Sequence, residues 1–295
     1  MARQRGQFAR RLLQICGMAL LAWVLLTAIP VMVLRWLHPL TSAFMLEAQW
    51  QAALANQRGY QTDYRWVDLR HISPQAGIAV VASEDQLFPY HYGFDLDSIR
   101  NAVEAREHGK RLRGASTISQ QVAKNLFLWP EGGYFRKAIE AGITILLEHL
   151  WTKDRVLEVY LNIAEFGPGV YGVEAASQAY FHKPAAKLGP EEAATLAAVL
   201  PNPRRWSARS PGPYVQSRAA WIMGQMGYGH APAEEPLPPP GLEPEDDNGG
   251  SASSAPPTVE DSGSPEPPTE QSAPPPTEQA SPADNNAPVQ TAPAN

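Results

Sequence analysis

Two carboxylates with unusual neighbours carry the chemical interest of this chain. Glu84 opens the segment Glu84-Asp85-x-x-Phe88-x-x-His91-x-Gly93-x-Asp95, and Glu140 closes Arg136-Lys137-x-x-Glu140. Between them runs Gly114-Ala115-Ser116-Thr117-Ile118-Ser119-Gln120-Gln121, followed by Lys124 and Asn125. A carboxylate within hydrogen-bond reach of a hydroxyl can take its proton as that oxygen attacks. Cations neutralise an anionic leaving group without having to protonate it. One base with Lys124, Arg136 and Lys137 nearby therefore suits transfer from a diphosphate donor to a hydroxyl acceptor. A glycoside hydrolase needs instead a protonated carboxylic acid for its leaving alcohol.

Each segment also has an ordinary reading. Glu84-Asp85 could be a solvated helix end. Glu140 could be a surface ion pair worth at most about 1 kcal/mol. Ser116, Thr117, Gln120 and Gln121 could be a capping box with polar surface around it. Other chemistries find less support. The only cysteine is Cys16, and no His-Glu-x-x-His occurs, so a Cys/His zinc site is excluded. Neither Ser-x-x-Lys nor Lys-Thr-Gly is present, which argues against an acyl-serine site. Nothing points to a nucleic-acid partner.

The elements that must position these residues read as helices. Ser73-Pro74 is a cap followed by proline at the first helical position, and the helix it opens should end near Glu84. Thr117-x-x-Gln120 predicts a capped helix from Ile118 to Leu128, stopped by Pro130, Gly132 and Gly133. Free N–H groups at its start would favour an anion. Ile139, Ile143, Leu146, Leu147 and Leu150 form one apolar stripe, with Arg136 and Glu140 expected on the opposite face. Thr152 begins another helix. Gly189-Pro190-Glu191-Glu192 opens a further one that Pro201 stops. Little of the chain alternates with period two, so the fold is expected to be mainly α.

Composition divides the 295 residues sharply. Residues 1–11 hold Arg3, Arg5, Arg10 and Arg11. Leu12–Leu34 is almost wholly apolar, and its 23 residues exceed the roughly 20 that cross a bilayer as a helix. With arginines before it, the N-terminus is expected in the cytoplasm and the rest outside. Arg35, Trp36 and His38 look like interfacial residues rather than a signal-peptide cleavage site. Residues 35–57 can form a membrane-proximal amphipathic helix, lying on the bilayer surface or packed against the main domain, and 58–230 a globular domain. Residues 231–295 hold 17 of the 29 prolines and 12 of the 30 acids, with no aromatic residue, Lys or Arg. Such a tail cannot build a core and is expected to be disordered. The overall charge of −6 thus hides a body of +6, suited to an anionic ligand or membrane surface.

Taken in order, the motifs resemble the monofunctional biosynthetic peptidoglycan transglycosylases, glycosyltransferase family 51. The similarity continues through Lys153-Asp154-x-x-Leu157-x-x-Tyr160-Leu161-Asn162, Gly169-x-Tyr171-Gly172-x-x-x-Ala176 and Leu196-Ala197-Ala198-x-Leu200-Pro201-Asn202-Pro203. It covers about Ile72 to Pro203. The resemblance implies a lysozyme-like helical domain on the outer face of the inner membrane, polymerising lipid II into β-1,4 glycan strands. It implies that Glu84 activates the acceptor 4-hydroxyl and that undecaprenyl diphosphate leaves with inversion. Glu140 matches the second family carboxylate. Ser116, Lys124 and Arg136 match positions near the donor phosphates, and Thr117, Gln120, Gln121, Asn125 and Lys137 complete the expected substrate-binding set. A divalent cation, Mg or Mn, would assist, and other cell-wall synthesis proteins are expected partners.

One position departs from the family pattern. Many members carry Arg four residues before the Arg-Lys pair, where this chain has Gly132. Either Arg136, Lys137 or a distant Arg supplies that charge, or donor binding is weaker, in which case an Arg restored at 132 should strengthen it. Two other functions share the features described: a lytic transglycosylase or muramidase cutting existing peptidoglycan, and an inactive membrane adaptor with an acidic recruiting tail. The cations around Glu140 disfavour the first, since a neutral glycan does not require them.

Overall fold

A computed structural model describes residues 2–107, 116–229 and 234–239. The chain divides into two compact units, Met1–Gly250 and Ser251–Asn295, and only the first contains described residues. Gly114 and Ala115 of the central motif lie outside the described residues, as does nearly all of the tail expected to be disordered.

The described residues are mainly helical, as expected. The helices are α1 (Ala2–Val33), α2 (Ala43–Leu54), α3 (Pro74–Glu84), α4 (Leu96–Glu107), α5 (Ile118–Phe127), α6 (Tyr134–Leu150), α7 (Lys153–Ile163), α8 (Val173–Phe181), α9 (Pro190–Val199) and α10 (Pro213–Gln225). Their starts follow the predicted caps. Ser73 Oγ accepts from Gln75 N with Pro74 at the first helical position of α3. Thr117 and Gln120 form a reciprocal capping box at α5, and Thr152 caps α7. α9 opens on Gly189-Pro190, with the Glu192 side chain accepting from Gly189 N.

The core is the face shared by α3, α5, α7, α9 and α10. Ala79, Ile118, Val122, Val156, Val159, Leu161, Ala194, Ala197 and Ile222 are fully buried there. Three of these nine are alanines, which lets helices approach closely. A small side chain gives up buried area in return for short interaxial distance.

Three short strands escaped the sequence reading. β1 (Asp63–Tyr64) pairs parallel to β3 (Val170–Tyr171), and β3 pairs antiparallel to β2 (Glu165–Gly167), giving the order β1-β3-β2. Strands of two or three residues are too short to show period two. Gly167, Gly169 and Gly172 have the spacing of a dinucleotide-binding loop, yet they lie in and just beyond an antiparallel hairpin. Gly172 has φ +84°, and a Cβ there would come within 2.5 Å of Asn162 O. It answers to close packing against α7, not to a phosphate. Asn162 in turn fastens the preceding segment: its side chain donates to Val67 O and accepts from Val67 N, both at 2.8 Å.

Of the run Leu12–Leu34, all but Leu34 is helical, within α1. Over the described residues no helix is long and apolar enough to cross a membrane. The described side chains of α1 are nonetheless mostly apolar and exposed, among them Leu13, Ile15, Met18, Leu21, Leu26 and Ile29. The C-terminal end of α1 is fixed to the domain. Trp151 Nε1 donates to Val31 O at 2.7 Å, and Arg155 Nη2 donates to Leu34 O at 2.8 Å and Leu37 O at 2.6 Å. These bonds satisfy carbonyls that a helix end leaves open.

Candidate active site

Glu84 is the last residue of α3, where aligned peptide dipoles disfavour an anion. The surroundings offset this. Gln121 Nε2, from α5, donates to Glu84 Oε2 at 3.1 Å. Tyr160 Oη, from α7, donates to Gln121 Oε1 at 3.0 Å and so fixes which way the amide faces. Burial pushes the Tyr160 hydroxyl far above its ordinary pKa, and the charges of Glu84 and Asp85 push it the same way. It remains a neutral donor. Arg218 Nη2, from α10, lies 3.5 Å from Glu84 Oε1, an oxygen that is enclosed and has no hydrogen-bond partner. Three helices thus hold the carboxylate: one oxygen is engaged by an amide, and the other has only an ion-pair partner.

The neighbouring Asp85 has a different role. Its carboxylate accepts from Ile118 N at 3.0 Å and binds His91 Nε2 at 2.8 Å. Burial raises its pKa, while the bonds from Ile118 and His91 pull it back. His91 Nδ1 accepts from Gly93 N, and Thr117 Oγ1 donates to Gly93 O at 2.7 Å. The loop after Glu84 is therefore tied to the start of α5. Those bonds also correct the expectation of free N–H groups at that helix start. Asp85 takes Ile118 N, and Thr117 Oγ1 takes Gln120 N. Thr117 and Gln120 are buried and bonded to each other, holding the element that presents Gln121.

The second carboxylate is enclosed in cations. Glu140 Oε2 accepts from Arg136 Nη1 at 2.8 Å, and Glu140 Oε1 accepts from Lys137 Nζ at 2.6 Å. Lys137 Nζ also reaches Ser116 Oγ at 3.4 Å. The expectation that Arg136 and Glu140 lie opposite the apolar stripe is overturned. Both are 1% exposed and line up with Ile143 and Leu147 on the inner face of α6. A helical period places 136, 140, 143 and 147 on one stripe, and charge alone misled the reading. A buried pair of this kind is no surface ion pair: removing one partner strands a charge. Lys137 keeps 29% of its side chain exposed.

Lys124 lies on α5 with its ammonium 5.8 Å from the centre of the Phe44 ring of α2. Asn125 Oδ1 is buried without a hydrogen-bond partner. Gly132 proves to be a steric matter. A Cβ there would meet Arg136 Cδ at 2.6 Å and Cβ at 2.7 Å, because the Arg136 side chain folds across it. An Arg at 132 would therefore force the Arg136 side chain or the loop to shift, a cost set against any contact its charge could make.

Among the described residues no group of three or more His, Cys, Asp or Glu side chains is placed to hold a metal ion. Glu84 and Glu140 are already engaged by Gln121, Arg136 and Lys137. The described residues therefore do not fit a protein-built Mg or Mn centre. Two contributors were not identified as site residues from sequence. Tyr160 stood in a motif but without a role. Arg218 stood in none, since nothing local marks a residue whose partner lies more than a hundred positions away.

With this geometry in view, the comparisons with known proteins agree. The transglycosylase family model matches residues 51–227. The chain belongs to the transglycosylase family. A biosynthetic peptidoglycan transglycosylase of Salmonella paratyphi B is 56% identical over 186 residues, 63% of this chain and 77% of the relative. One of the same name from Aeromonas hydrophila is 49% identical over 223 residues, covering 76% of this chain and 94% of the relative.

Proposed function

We infer that this transglycosylase is a peptidoglycan glycosyltransferase of cell-wall synthesis, acting on lipid II and the growing glycan strand. The observation that carries the residue-level reading is the pairing of two unlike carboxylates. Glu84 is held by one amide and one guanidinium, with an oxygen enclosed beside Arg218 that no donor occupies. Glu140 is locked between Arg136 and Lys137, as a group that organises cations requires.

In the proposed reaction Glu84 takes the proton of the acceptor 4-hydroxyl as that oxygen attacks the anomeric carbon of the donor. The bond from that carbon to the diphosphate breaks with inversion, and undecaprenyl diphosphate departs with the electron pair. Lys137 and Arg136, held by Glu140, face the developing charge, with Lys124 and Ser116 contributing. Their contribution is electrostatic and pre-organised, so little reorganisation is needed as charge develops. A divalent cation, where one assists, would be carried by the diphosphate rather than by the chain.

The site is proposed to work at the periplasmic face of the inner membrane, with α1 as a single span and the N-terminus in the cytoplasm. The apolar run, the four preceding arginines and the exposed apolar side chains of α1 support this. Exposed Trp36, Leu37, Leu46, Trp50 and Leu54 around α2 suit the adjoining interface.

The test is polymerisation of labelled lipid II by the full chain and by Glu84→Gln. The amide keeps the shape and the bond to a neighbour but cannot take the proton. Loss of about a hundredfold or more is expected with an unchanged melting curve. Near-normal polymerisation by the variant would remove Glu84 from this role, and release of soluble fragments from sacculi would favour the lytic reading.

A further inference from the structure

Arg218 is a buried cation shared by two acids from opposite ends of the domain. Its side chain is 3% exposed. One terminal nitrogen faces Glu84 at 3.5 Å, and the other is paired with Glu235, in the segment that follows α10 and opens the proline-rich region. Its Nε and the nitrogen facing Glu235 are both buried without a hydrogen bond, so the contact with Glu235 is an ion pair only. A desolvated guanidinium needs negative charge nearby, and these two carboxylates supply it.

The sharing has a chemical consequence. A lone Arg beside a base stabilises its ionised form and makes it a weaker proton acceptor. A second carboxylate on the same guanidinium offsets that pull. We propose that Glu235 is a positioning residue of the transferase site: by holding Arg218 it keeps Glu84 in place without depriving it of basicity. This rests on the reading of Glu84 as the base. It makes the first residues of the acidic tail part of the enzyme, although composition alone assigns them to a passive appendage.

The charged and titratable groups around Glu84 are few. α3 and its following loop bring Asp85, already bonded to Ile118 and His91. α7 brings Tyr160, α10 brings Arg218, and the tail brings Glu235. From α5 comes the neutral Gln121. Asp85 and Tyr160 have their own partners, which leaves the Arg218–Glu235 pair as the adjustable charge.

The experiment compares the full chain with Glu235→Gln, Glu235→Asp and Glu84→Gln, measuring kcat and KM for lipid II across pH. Losing the Glu235 charge should lower kcat near neutral pH by about two- to fivefold, because proton transfer to a weaker base is only partly felt in the transition state. The acid limb of the profile should move down by about half to one pH unit, with KM nearly unchanged. Glu235→Asp should recover most of both effects, which a merely structural role would not predict for a shortened side chain. Unchanged kcat and acid limb in Glu235→Gln would overturn the proposal. So would a change in KM alone, or a rise in rate, which would mark the segment as a cover over the base. Glu84→Gln separates the two readings: if it still polymerises, the assignment of the base fails, whatever Glu235 does.

Discussion

Gly132 and Arg136 show how a missing side chain can serve an ion pair. Arg136 reaches Glu140 by lying across the backbone at 132, and any Cβ there would be 2.6–2.8 Å from its Cβ, Cδ and Nε. The Arg136 Cβ is fixed by α6, so the loop at 132 must shift, and the Arg136 side chain with it. Gly132→Ala is expected to destabilise the fold by about 1–3 kcal/mol through overpacking. It should also lower kcat/KM for lipid II by roughly tenfold or more, the size of one charge-assisted bond. Gly132→Arg should do the same rather than improve affinity. Wild-type melting and rate in Gly132→Ala would show that Arg136 can leave Glu140 without consequence. At this scale the sequence marked Glu84 and Glu140 because each stands in a motif of distinctive neighbours. It misjudged what surrounds Glu140, since Arg136-Lys137-x-x-Glu140 has the same spacing whether the helix face is wet or buried. It passed over Arg218 and Glu235 because an ion pair formed by tertiary folding leaves no local pattern.

Helix starts were legible for the opposite reason: a cap is a bond between residues two or three apart. Ser73, Thr117 and Thr152 each cap the helix predicted for them. α4 was not foreseen, yet Asp95 begins it in the same way. Its carboxylate accepts from Asp97 N, Ser98 N and Ser98 Oγ. Burial opposes ionisation of Asp95, but the bonds from Ser98 and Asp97 outweigh it and hold the pKa below the usual carboxylate range. A depressed folded-state value means stability that is present above the unfolded pKa and lost as pH falls through the folded one. Asp95→Ala should therefore cost about 0.5–2 kcal/mol near neutral pH, the usual worth of an N-cap. In urea titrations the gap between wild type and variant should narrow as pH falls below about 4. A gap that stays constant with pH would mean the Asp95 charge contributes nothing and only its shape matters. The three strands mark the limit of such local reading. β1 and β3 are brought together by the fastening of the 67–69 segment to α7, through Asn162 and Glu158, across nearly a hundred residues.

Across the whole molecule, charge is segregated along the chain. Residues 1–230 carry a net +6, and residues 231–295 carry 12 acids and no Lys or Arg. The boundary read from composition alone falls at Ala231, but Glu235 is bound to the buried Arg218 of the domain. Truncations on either side of that contact should behave differently. Deleting Ser251–Asn295, a separate compact unit with no aromatic residue, removes nothing able to bury apolar surface. It should shift the melting temperature by less than about 2 °C, as expected when under roughly 1 kcal/mol is lost from a domain of this size. Polymerisation of lipid II should remain within roughly twofold, because Glu235 and Arg218 are both retained. Deleting from Ala231 onward also removes Glu235 and should reproduce the lowered kcat and shifted acid limb of Glu235→Gln. If the shorter deletion already impaired polymerisation or melting, residues 251–295 would have a docking role that their composition does not disclose. If the longer deletion matched wild type in rate and pH profile, the domain would end where composition places it.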